Sequence, residues 1–383
     1  MKLGIDLIDK HLDYFKGKRV GLITNPTGIN SEFKSTIDIL KEKTNLVALF
    51  SPEHGVRGNL QAGVQLDTYI DEKTNVTVYS MYGASKRPSK EALDTLDILC
   101  IDLQDAGSRF YTFIYSMAYA MIACAEENKE FVVFDRPNPA CASIVEGNIL
   151  DLSCRSFIGY YPIVQRHGMT MSELAKMFNV EYNIGVKLKT IDMEGYKREM
   201  YFEDTKKLWI MPSPNLPTPD LTIIYNTTCI FEGTNMSEGR GTTVPFKFVG
   251  SPYVNEEEWA RVLNDLKLPG VYFRPMVFTP VEYNKKYSKH AFEMCRGVDV
   301  CITNRDIFQA VKTGFAMLDT VRKLYPNDFK VNLPYKEGMK CMLELNTGCT
   351  YIKDMVYSLE EQFRIIDEDT EKFKRVREKY LIY

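Results

Sequence analysis

The sequence lacks the features that mark several common classes of protein. Its 48 Lys and Arg residues nearly balance 51 Asp and Glu residues, giving a formal net charge of -3. It contains no cationic run long enough to bind a polyanion. The longest mostly apolar stretch, residues 113–125, is shorter than the ~20 residues that a helix needs to cross a bilayer. We therefore expect neither a nucleic-acid partner nor a membrane span.

Paired cysteines and an amino-terminal signal are also missing. The nine cysteines include no Cys-x-x-Cys pair, and most lie in apolar segments, as Cys100 does. This pattern is typical of buried free thiols and indicates no structural zinc site. The amino terminus reaches charged residues at once and has no secretory apolar segment. It fits either a cytoplasmic protein or a mature chain whose signal has been removed.

The familiar signatures of hydrolases and nucleotide-binding proteins are absent from the sequence. There is no G-x-S-x-G elbow, no G-x-G-x-x-G after the first predicted strand, no Walker loop and no H-E-x-x-H. This disfavours serine-nucleophile, nicotinamide and ATP chemistry. It favours carboxylate chemistry, and glycoside hydrolysis is the reaction that most directly needs two carboxyl groups.

The order of predicted elements indicates an α/β fold. Because 383 residues exceed the roughly 100–200 of one domain, we expect two domains, residues 1–240 and 241–383. The first half alternates β-branched runs with helix-period segments, which predicts a mostly parallel sheet covered on both faces. The predicted strands there are residues 19–24, 46–50, 76–79, 98–103, 131–134, 186–191 and 208–211. The later part predicts strands at 271–278 and 298–303 and helices at 255–266, 305–325, 354–365 and 367–381.

Polar side chains follow the second predicted strand. In open α/β sheets, ligands bind beyond the carboxyl ends of the strands. Residues 51–57 carry Glu53, His54 and Arg57 in one turn, which can present all three side chains to one cavity. The alternative is that Glu53 and Arg57 form a surface pair worth under ~1 kcal/mol while His54 caps a helix.

A second cluster follows the strand at residues 98–103. Asp102 and Gln104 share one face of the extended chain, Asp105 turns the corner, and Arg109 opens a long helix. The two carboxylates could bind a metal, hold sugar hydroxyls or share a proton. Alternatively, Asp105 or Ser108 caps the helix.

Two further segments carry polar candidates. Thr170 and Glu173 fit a capping box and are expected to be structural, while Arg166 and His167 precede that helix and are free for a ligand. Residues 232–243 contain two glutamates, an arginine and three glycines without apolar periodicity. Glycine permits close backbone approach, and Glu and Arg move protons and hold anions. We interpret residues 232–243 as an active-site loop, with a plain surface loop as the alternative.

Six motifs, taken in order, resemble one known family. They read SPEHGVRG, DLQDAGSRFYT, DRPNP, RHGMT, PSPNLPTP and EGTNMSEGRGTT, starting at residues 51, 102, 135, 166, 212 and 232. The sequence is similar, over essentially its whole length, to the bacterial exo-β-N-acetylmuramidases, long catalogued as a domain of unknown function. The resemblance implies a hydrolase that removes N-acetylmuramic acid from the non-reducing end of peptidoglycan-derived glycans. It also implies a Rossmann-like domain, a smaller α+β ancillary domain, and an active cleft between them.

The resemblance gives the polar residues candidate roles. The acid/base candidates are Glu53, Glu232, Glu238 and, after them, Asp105. The lactyl carboxylate of muramic acid suits a bidentate arginine, and amide and hydroxyl side chains can bind the sugar hydroxyl and acetamido groups. The predicted substrate-binding residues are His54, Arg57, Asp102, Gln104, Arg109, Arg166, His167, Asn215, Asn235, Arg240, Thr242 and Thr243. No cofactor or metal is expected.

Other readings of the same residues stay open. The acetamido oxygen of the substrate could itself be the nucleophile, so that one protein acid and an orienting carboxylate suffice. A metal-dependent phosphate or ester hydrolase would use Glu53, His54, Asp102, Asp105 and His167 as ligands. A third reading is a glycan-binding protein without catalytic activity.

Overall fold

The larger of two sheets organises the first half of the chain. The computed structural model describes residues 1–52, 56–57, 68–81, 86–282 and 288–383. Within them, seven strands form one sheet in the order β3-β4-β2-β1-β5-β6-β7, and three form a second in the order β8-β10-β9. The strands are β1 (Arg19–Thr24), β2 (Asn45–Ser51), β3 (Tyr69–Asp71), β4 (Val76–Ser80), β5 (Ile98–Asp102), β6 (Glu130–Phe134), β7 (Lys187–Ile191), β8 (Phe248–Ser251), β9 (Val271–Phe278) and β10 (Cys295–Ile302).

The predicted α/β class and mostly parallel sheet are confirmed. All neighbouring strands of the larger sheet pair in parallel except β3, which is antiparallel to β4. The chain builds outward in both directions from the β1–β5 pair, so the strand order reverses there. A crevice beyond the carboxyl ends of the strands at such a point is the usual ligand site of open α/β sheets.

Helices cover both faces of the larger sheet and continue into the second half. They are α1 (Leu12–Phe15), α2 (Thr36–Lys43), α3 (Lys90–Asp94), α4 (Phe113–Glu126), α5 (Met171–Glu181), α6 (Leu221–Thr228), α7 (Glu256–Asp265), α8 (Ala310–Leu324), α9 (Met342–Thr347) and α10 (Leu359–Arg377). One apolar core runs from β5 and α4 through Phe231 to Trp259 and Phe315. A second core lies on the other face of the sheet, under a 3-10 helix at Gly4–His11 and α2. The domain boundary at residue 240 stays a prediction.

One predicted strand is absent, and two predicted helices are joined into one. Residues 208–211 form no strand. Leu208 and Met211 are largely exposed, and the Trp209 indole donates to the Leu216 carbonyl (3.0 Å), so this segment folds back on the proline-rich stretch. The helices expected at 354–365 and 367–381 are the single helix α10, because no glycine or proline interrupts it and its buried stripe continues through Ile366 to Phe373.

The nine cysteines are unpaired, as expected. Eight are buried and Cys301 is partly exposed. Burial raises the pKa of several of these thiols, including Cys100 and Cys229, which keeps them protonated near neutral pH. None of the helices in the described ranges has the length and apolar character required to span a membrane.

The carboxyl-terminal residue is tied to the end of β6. Asp135 is fully buried and accepts hydrogen bonds from the Tyr383 hydroxyl (2.7 Å), the Thr170 hydroxyl (2.8 Å) and the Ser172 amide (2.9 Å). Burial raises the pKa of Asp135 to about 7, against the lowering effect of these donors. The Tyr383 hydroxyl also accepts from the Met193 amide at 2.7 Å. The Tyr383 hydroxyl therefore satisfies both the Asp135 carboxylate and the Met193 amide.

We expect Tyr383→Phe to lower the free energy of unfolding by about 1–3 kcal/mol, because both Asp135 and the Met193 amide lose a partner inside the protein. Urea unfolding followed by tryptophan fluorescence measures the loss. Tyr380→Phe is the matched control, since the Tyr380 hydroxyl bonds to Glu181 (2.6 Å) at the surface. An equal loss in the two variants would contradict the role given to Tyr383.

Candidate active site

The loop at residues 232–243 is shaped by a turn at each end. Helix α6 runs into a 3-10 turn at Cys229–Gly233 that carries Glu232. Gly239 and Gly241 have φ values of +78° and +84°. A Cβ atom at Gly241 would lie 2.2 Å from the Val281 carbonyl oxygen. Glycine is therefore required at this position, both for its backbone conformation and for its packing.

Four charged side chains meet in this loop. Arg240 forms a hydrogen-bonded ion pair with Glu232, and its Nε atom lies 3.2 Å from Glu238 Oε1. Lys289 Nζ donates to Glu238 Oε2 at 2.9 Å and to the carbonyls of Phe231 (2.8 Å) and Met236 (2.9 Å). Two carboxylates and two cations thus alternate. We call Glu232, Arg240, Glu238 and Lys289 the charge array.

The members of the charge array differ in their access to solvent. The side chain of Glu238 is 2% exposed, whereas those of Arg240 and Glu232 are 15% and 21% exposed. Burial lowers the pKa of Arg240, but the carboxylates of Glu232 and Glu238 outweigh it and raise that pKa above its ordinary value. Arg240 therefore stays charged, and of the two carboxylates Glu232 is the one that a ligand can reach.

Lys289 belongs to this site, although no motif or local pattern marks it. It lies 51 positions after Glu238, outside the six motifs. Its neighbours offer no glycine-rich turn and no strand end. Only its spatial contacts identify it, because lysines on ordinary solvated surfaces occur in similar local sequences.

Aromatic contacts connect the charge array to the end of β5. The guanidinium of Arg240 lies over the ring of Phe246, 4.9 Å from its centroid. Phe246 contacts Tyr225 of α6 edge-on at 4.7 Å, and Tyr225 contacts Phe110 at 5.0 Å. Phe110 directly follows Arg109 in the polar segment beyond β5. The loop at residues 232–243 and the segment beyond β5 are therefore joined through packed rings.

Beyond β5, Asp105 and His167 form a buried pair. Asp105 Oδ2 accepts from the Gly107 amide at 2.7 Å and lies 3.4 Å from His167 Nε2. The Met169 amide donates to His167 Nδ1 (3.2 Å), so a neutral ring carries its proton on Nε2, toward Asp105. Asp105 does not cap α4, which begins after Thr112 without a side-chain cap. The expected capping box of Thr170 and Glu173 on α5 is confirmed.

Asp102 and Gln104 are held by structural contacts. Both oxygens of Asp102 bind the Arg136 guanidinium, with Arg136 Nη2 at 2.9 Å from Oδ2, and Thr36 also donates to Oδ2. Gln104 donates to the Pro137 carbonyl at 2.8 Å. Gln104, Arg136 and Thr27 line a cavity of about 110 Å³ at the β1–β5 reversal. Asp102 is fully buried with both oxygens engaged, whereas Gln104 still borders a cavity.

Two of the predicted arginines are fully buried and bonded to backbone carbonyls. Arg109 is 0% exposed and donates to the carbonyls of Asn148, Ile163 and Thr347 at 2.9, 3.0 and 2.6 Å. Arg166 is also 0% exposed and directs its guanidinium to the Ala140 carbonyl. Both have structural partners, so we leave them out of the candidate site.

The candidates of the first motif are either paired with another residue or outside the described residues. Glu53 and His54 belong to the part of the chain that the structure does not describe. Arg57 is partly exposed and pairs with Asp71, with Nη2 at 2.8 Å from Oδ2. This contact holds the pKa of Asp71 at about 2. Arg57 is therefore already engaged by a carboxylate.

Four amide and hydroxyl candidates have varied surroundings. Asn235 is engaged through its side chain by the Asp328 carbonyl (2.9 Å) and the Tyr253 hydroxyl (3.0 Å). Thr242 donates to the Gly239 carbonyl at 2.7 Å and stabilises the turn. Thr243 is exposed beside it, and Asn215 is buried in the proline-rich segment. Thr243 is thus the exposed member of the four.

The arrangement of the metal-ligating residue types bears on the metal-dependent alternative. Across the described ranges, no three His, Cys, Asp or Glu side chains are grouped so as to hold a metal ion. Of the five predicted ligands, Asp102 is occupied by Arg136, and Asp105 and His167 face each other. Glu53 and His54 lie outside the described residues, so the metal-dependent alternative stays a prediction.

Known proteins are similar to this chain along its whole length. Residues 20–220 match a family model described as the N-terminal part of exo-beta-N-acetylmuramidase NamZ, and residues 223–383 match the C-terminal part. The chain is 46% identical over 386 residues to a peptidoglycan beta-N-acetylmuramidase NamZ of Bacillus subtilis (strain 168), covering 100% of this chain and 91% of that protein.

Solved structures are similar over the same extent. Two crystal structures of DUF1343 family proteins from Bacteroides fragilis NCTC 9343 superpose with TM-scores of 0.89 and 0.78, at 37% and 32% identity. Each alignment covers 100% of this chain and 98% of the other.

We expect Arg109→Met to destabilise the protein by at least ~3 kcal/mol, because several buried carbonyls lose their donor at once. Thermal and urea unfolding measure the effect, and Arg109→Lys, which keeps a charge and some donors, should lie between the variant and the parent. Arg261→Met, at an exposed i,i+4 pair with Asp265, is the control. A stable Arg109→Met protein that fails only to bind substrate would overturn the structural role.

Proposed function

The chain belongs to the exo-β-N-acetylmuramidase NamZ family, and we propose that its charge array acts directly in the hydrolysis. The protein removes terminal N-acetylmuramic acid from the non-reducing end of peptidoglycan-derived glycans. The observation that supports the assignment of residues is the alternation of Glu232, Arg240, Glu238 and Lys289 in one glycine-bounded loop. This loop also carries the glycine-rich motif at residues 232–243, and its Glu232 side chain is partly exposed.

Glu232 is the carboxyl group that meets the sugar. Hydrolysis of a glycoside needs a group that protonates the leaving oxygen and a group that activates water or attacks the anomeric carbon. Glu232 is partly exposed, and one oxygen pairs with Arg240 while the other lies 3.6 Å from the buried thiol of Cys229. Its carboxylate is therefore held in one orientation while a ligand can still approach it.

Glu238 positions the site instead of touching the substrate. It is almost fully buried between Arg240 and Lys289, and these two cations compensate its charge. By holding Arg240 from behind, Glu238 fixes the guanidinium that orients Glu232. Preorganised charges of this kind act at the moment of reaction without having to move.

The second reacting group is the predicted Glu53 or the acetamido oxygen of the substrate. Glu53 follows β2, whose carboxyl end lies at the same edge of the sheet as those of β1 and β5. Asp105 at that edge is buried and already paired with His167, so we do not assign it as the second group. With an acetamido nucleophile, Glu232 and one orienting carboxylate suffice.

We expect Glu232→Gln to lower kcat on a chromogenic β-N-acetylmuramide by at least ~100-fold, the range for loss of one acid/base group. KM should change little, because the amide keeps the size of the side chain. Release of the chromophore measures the rate, and circular dichroism checks the fold. Glu257→Gln, at an exposed position in the first turn of α7, is the control and should keep full activity.

The same assay separates the candidates for the second group. A loss of similar size in Glu53→Gln supports a pair of protein carboxyl groups, whereas near-normal activity there favours the acetamido route. Normal activity in Glu232→Gln itself would remove this residue from the mechanism.

We expect Lys289→Met to reduce kcat and to move the acidic limb of the pH–rate profile to higher pH, because loss of a neighbouring cation disfavours the charged form of a carboxylate. Lys289→Arg should restore most of the activity and the original limb. A variant that loses stability while its pH profile stays in place would show that Lys289 only supports the fold.

A further inference from the structure

A segment near the carboxyl terminus runs directly beside Glu232. The Asn235 amide donates to the Lys330 carbonyl (2.9 Å), and the Asn332 amide donates to the Gly233 carbonyl (2.9 Å). Thr234 and Val331 form an antiparallel bridge between these bonds. The Asn332 side chain adds a bond to the Glu232 carbonyl oxygen at 3.2 Å. The segment is thereby fixed to the backbone of the candidate catalytic glutamate.

The chain returns to the same place at Leu343, after the loop that follows Asn332. A Cβ atom on Gly233 would lie 2.3 Å from the Leu343 amide nitrogen, so α9 begins in direct backbone contact with the turn that carries Glu232. Asn346 of α9 also donates to the Cys229 carbonyl at 3.1 Å. Residues 333–341, which we call the anchored loop, therefore start and end beside Glu232.

The anchored loop presents apolar side chains to solvent. Leu333 and Tyr335 are each 88% exposed, the highest values among the exposed large apolar side chains of the described ranges, and Met339 is 53% exposed. Since three residues span at most ~11 Å, Tyr335 lies close to Asn332 and hence to Glu232. Clustered exposed apolar groups often mark a binding surface.

We propose that the anchored loop is the leaving-group subsite, in which Leu333 and Tyr335 pack against the sugar that follows the terminal muramic acid. This inference rests on the proposed function, because that function places Glu232 at the reacting bond. An enzyme that removes one terminal sugar must let the rest of the glycan leave the site past its acid/base group. The anchored loop is an exposed apolar segment, and both of its ends are fixed beside Glu232.

The chemistry of the side chains fits this occupant. A tyrosine presents a large rigid apolar face and a polar hydroxyl, and a pyranose ring presents apolar C–H faces edged by hydroxyl groups. Leu333 widens the apolar surface next to it. Such contacts lie away from the anomeric carbon, so they add binding energy for a glycan without changing the reacting groups.

The test compares two substrates that differ only beyond the cleaved bond. One is a muramyl-terminated glycan of two or more sugars, and the other is β-N-acetylmuramyl fluoride, whose leaving group is a single atom. We expect Tyr335→Ala to lower kcat/KM about tenfold on the glycan, mainly through KM, and to leave the fluoride within about twofold. Leu333→Ala should show the same selectivity to a smaller extent, and Tyr335→Phe should retain most of the glycan activity.

Tyr272→Ala is the matched control, since Tyr272 is 52% exposed on the outer strand of the smaller sheet, and it should affect neither substrate. Equal losses on both substrates in Tyr335→Ala, or no loss on either, would overturn the subsite. So would a change in sedimentation of that variant, which would assign the anchored loop to contact with a second copy. If the unmodified protein cleaves neither substrate, the proposed function itself fails, and this outcome is distinct from the others.

Discussion

The buried guanidinium of Arg109 is the contact on which the geometry of the site depends. It links carbonyls at Asn148 and Ile163 to Thr347, at the end of α9. Burial lowers the pKa of Arg109, and peptide dipoles supply its hydrogen bonds in place of a carboxylate. Because α9 lies against the turn carrying Glu232, a cation after β5 helps to set where the candidate acid/base group stands.

In the charge array, the two cations compensate the charges of the two carboxylates. Burying one carboxylate such as Glu238 is costly unless its charge is paired and its oxygens are hydrogen-bonded. Lys289 and Arg240 satisfy both requirements, and the carbonyls of Phe231 and Met236 complete the surroundings of Lys289. The arrangement leaves Glu232 as the outer member of a rigid series, which a single glutamate on a flexible loop would not be.

Local patterns in the sequence predict local structure well here. Buried parallel strands such as β5 read as continuous apolar runs, and Thr170 and Glu173 carry their capping function within four residues. Contacts between distant residues leave no such pattern. Lys289 is one example. Arg109 is another, because the sequence does not show whether its guanidinium binds a substrate or backbone carbonyls. Every peptide has a carbonyl, and its position is known only after folding. The prediction of a strand at residues 208–211 is wrong because strand propensity does not reveal whether a neighbouring strand is available for pairing.

The absence of disulfides among the nine cysteines has a consequence for chemical labelling of the protein. With all nine thiols unpaired and eight of them buried, the covalent connectivity of the folded chain is the same under oxidising and reducing conditions. Only Cys301, on β10, offers appreciable access to an alkylating reagent. A thiol-directed fluorophore should therefore label the native protein at one position on the smaller sheet, giving a single-site reporter without any engineered substitution.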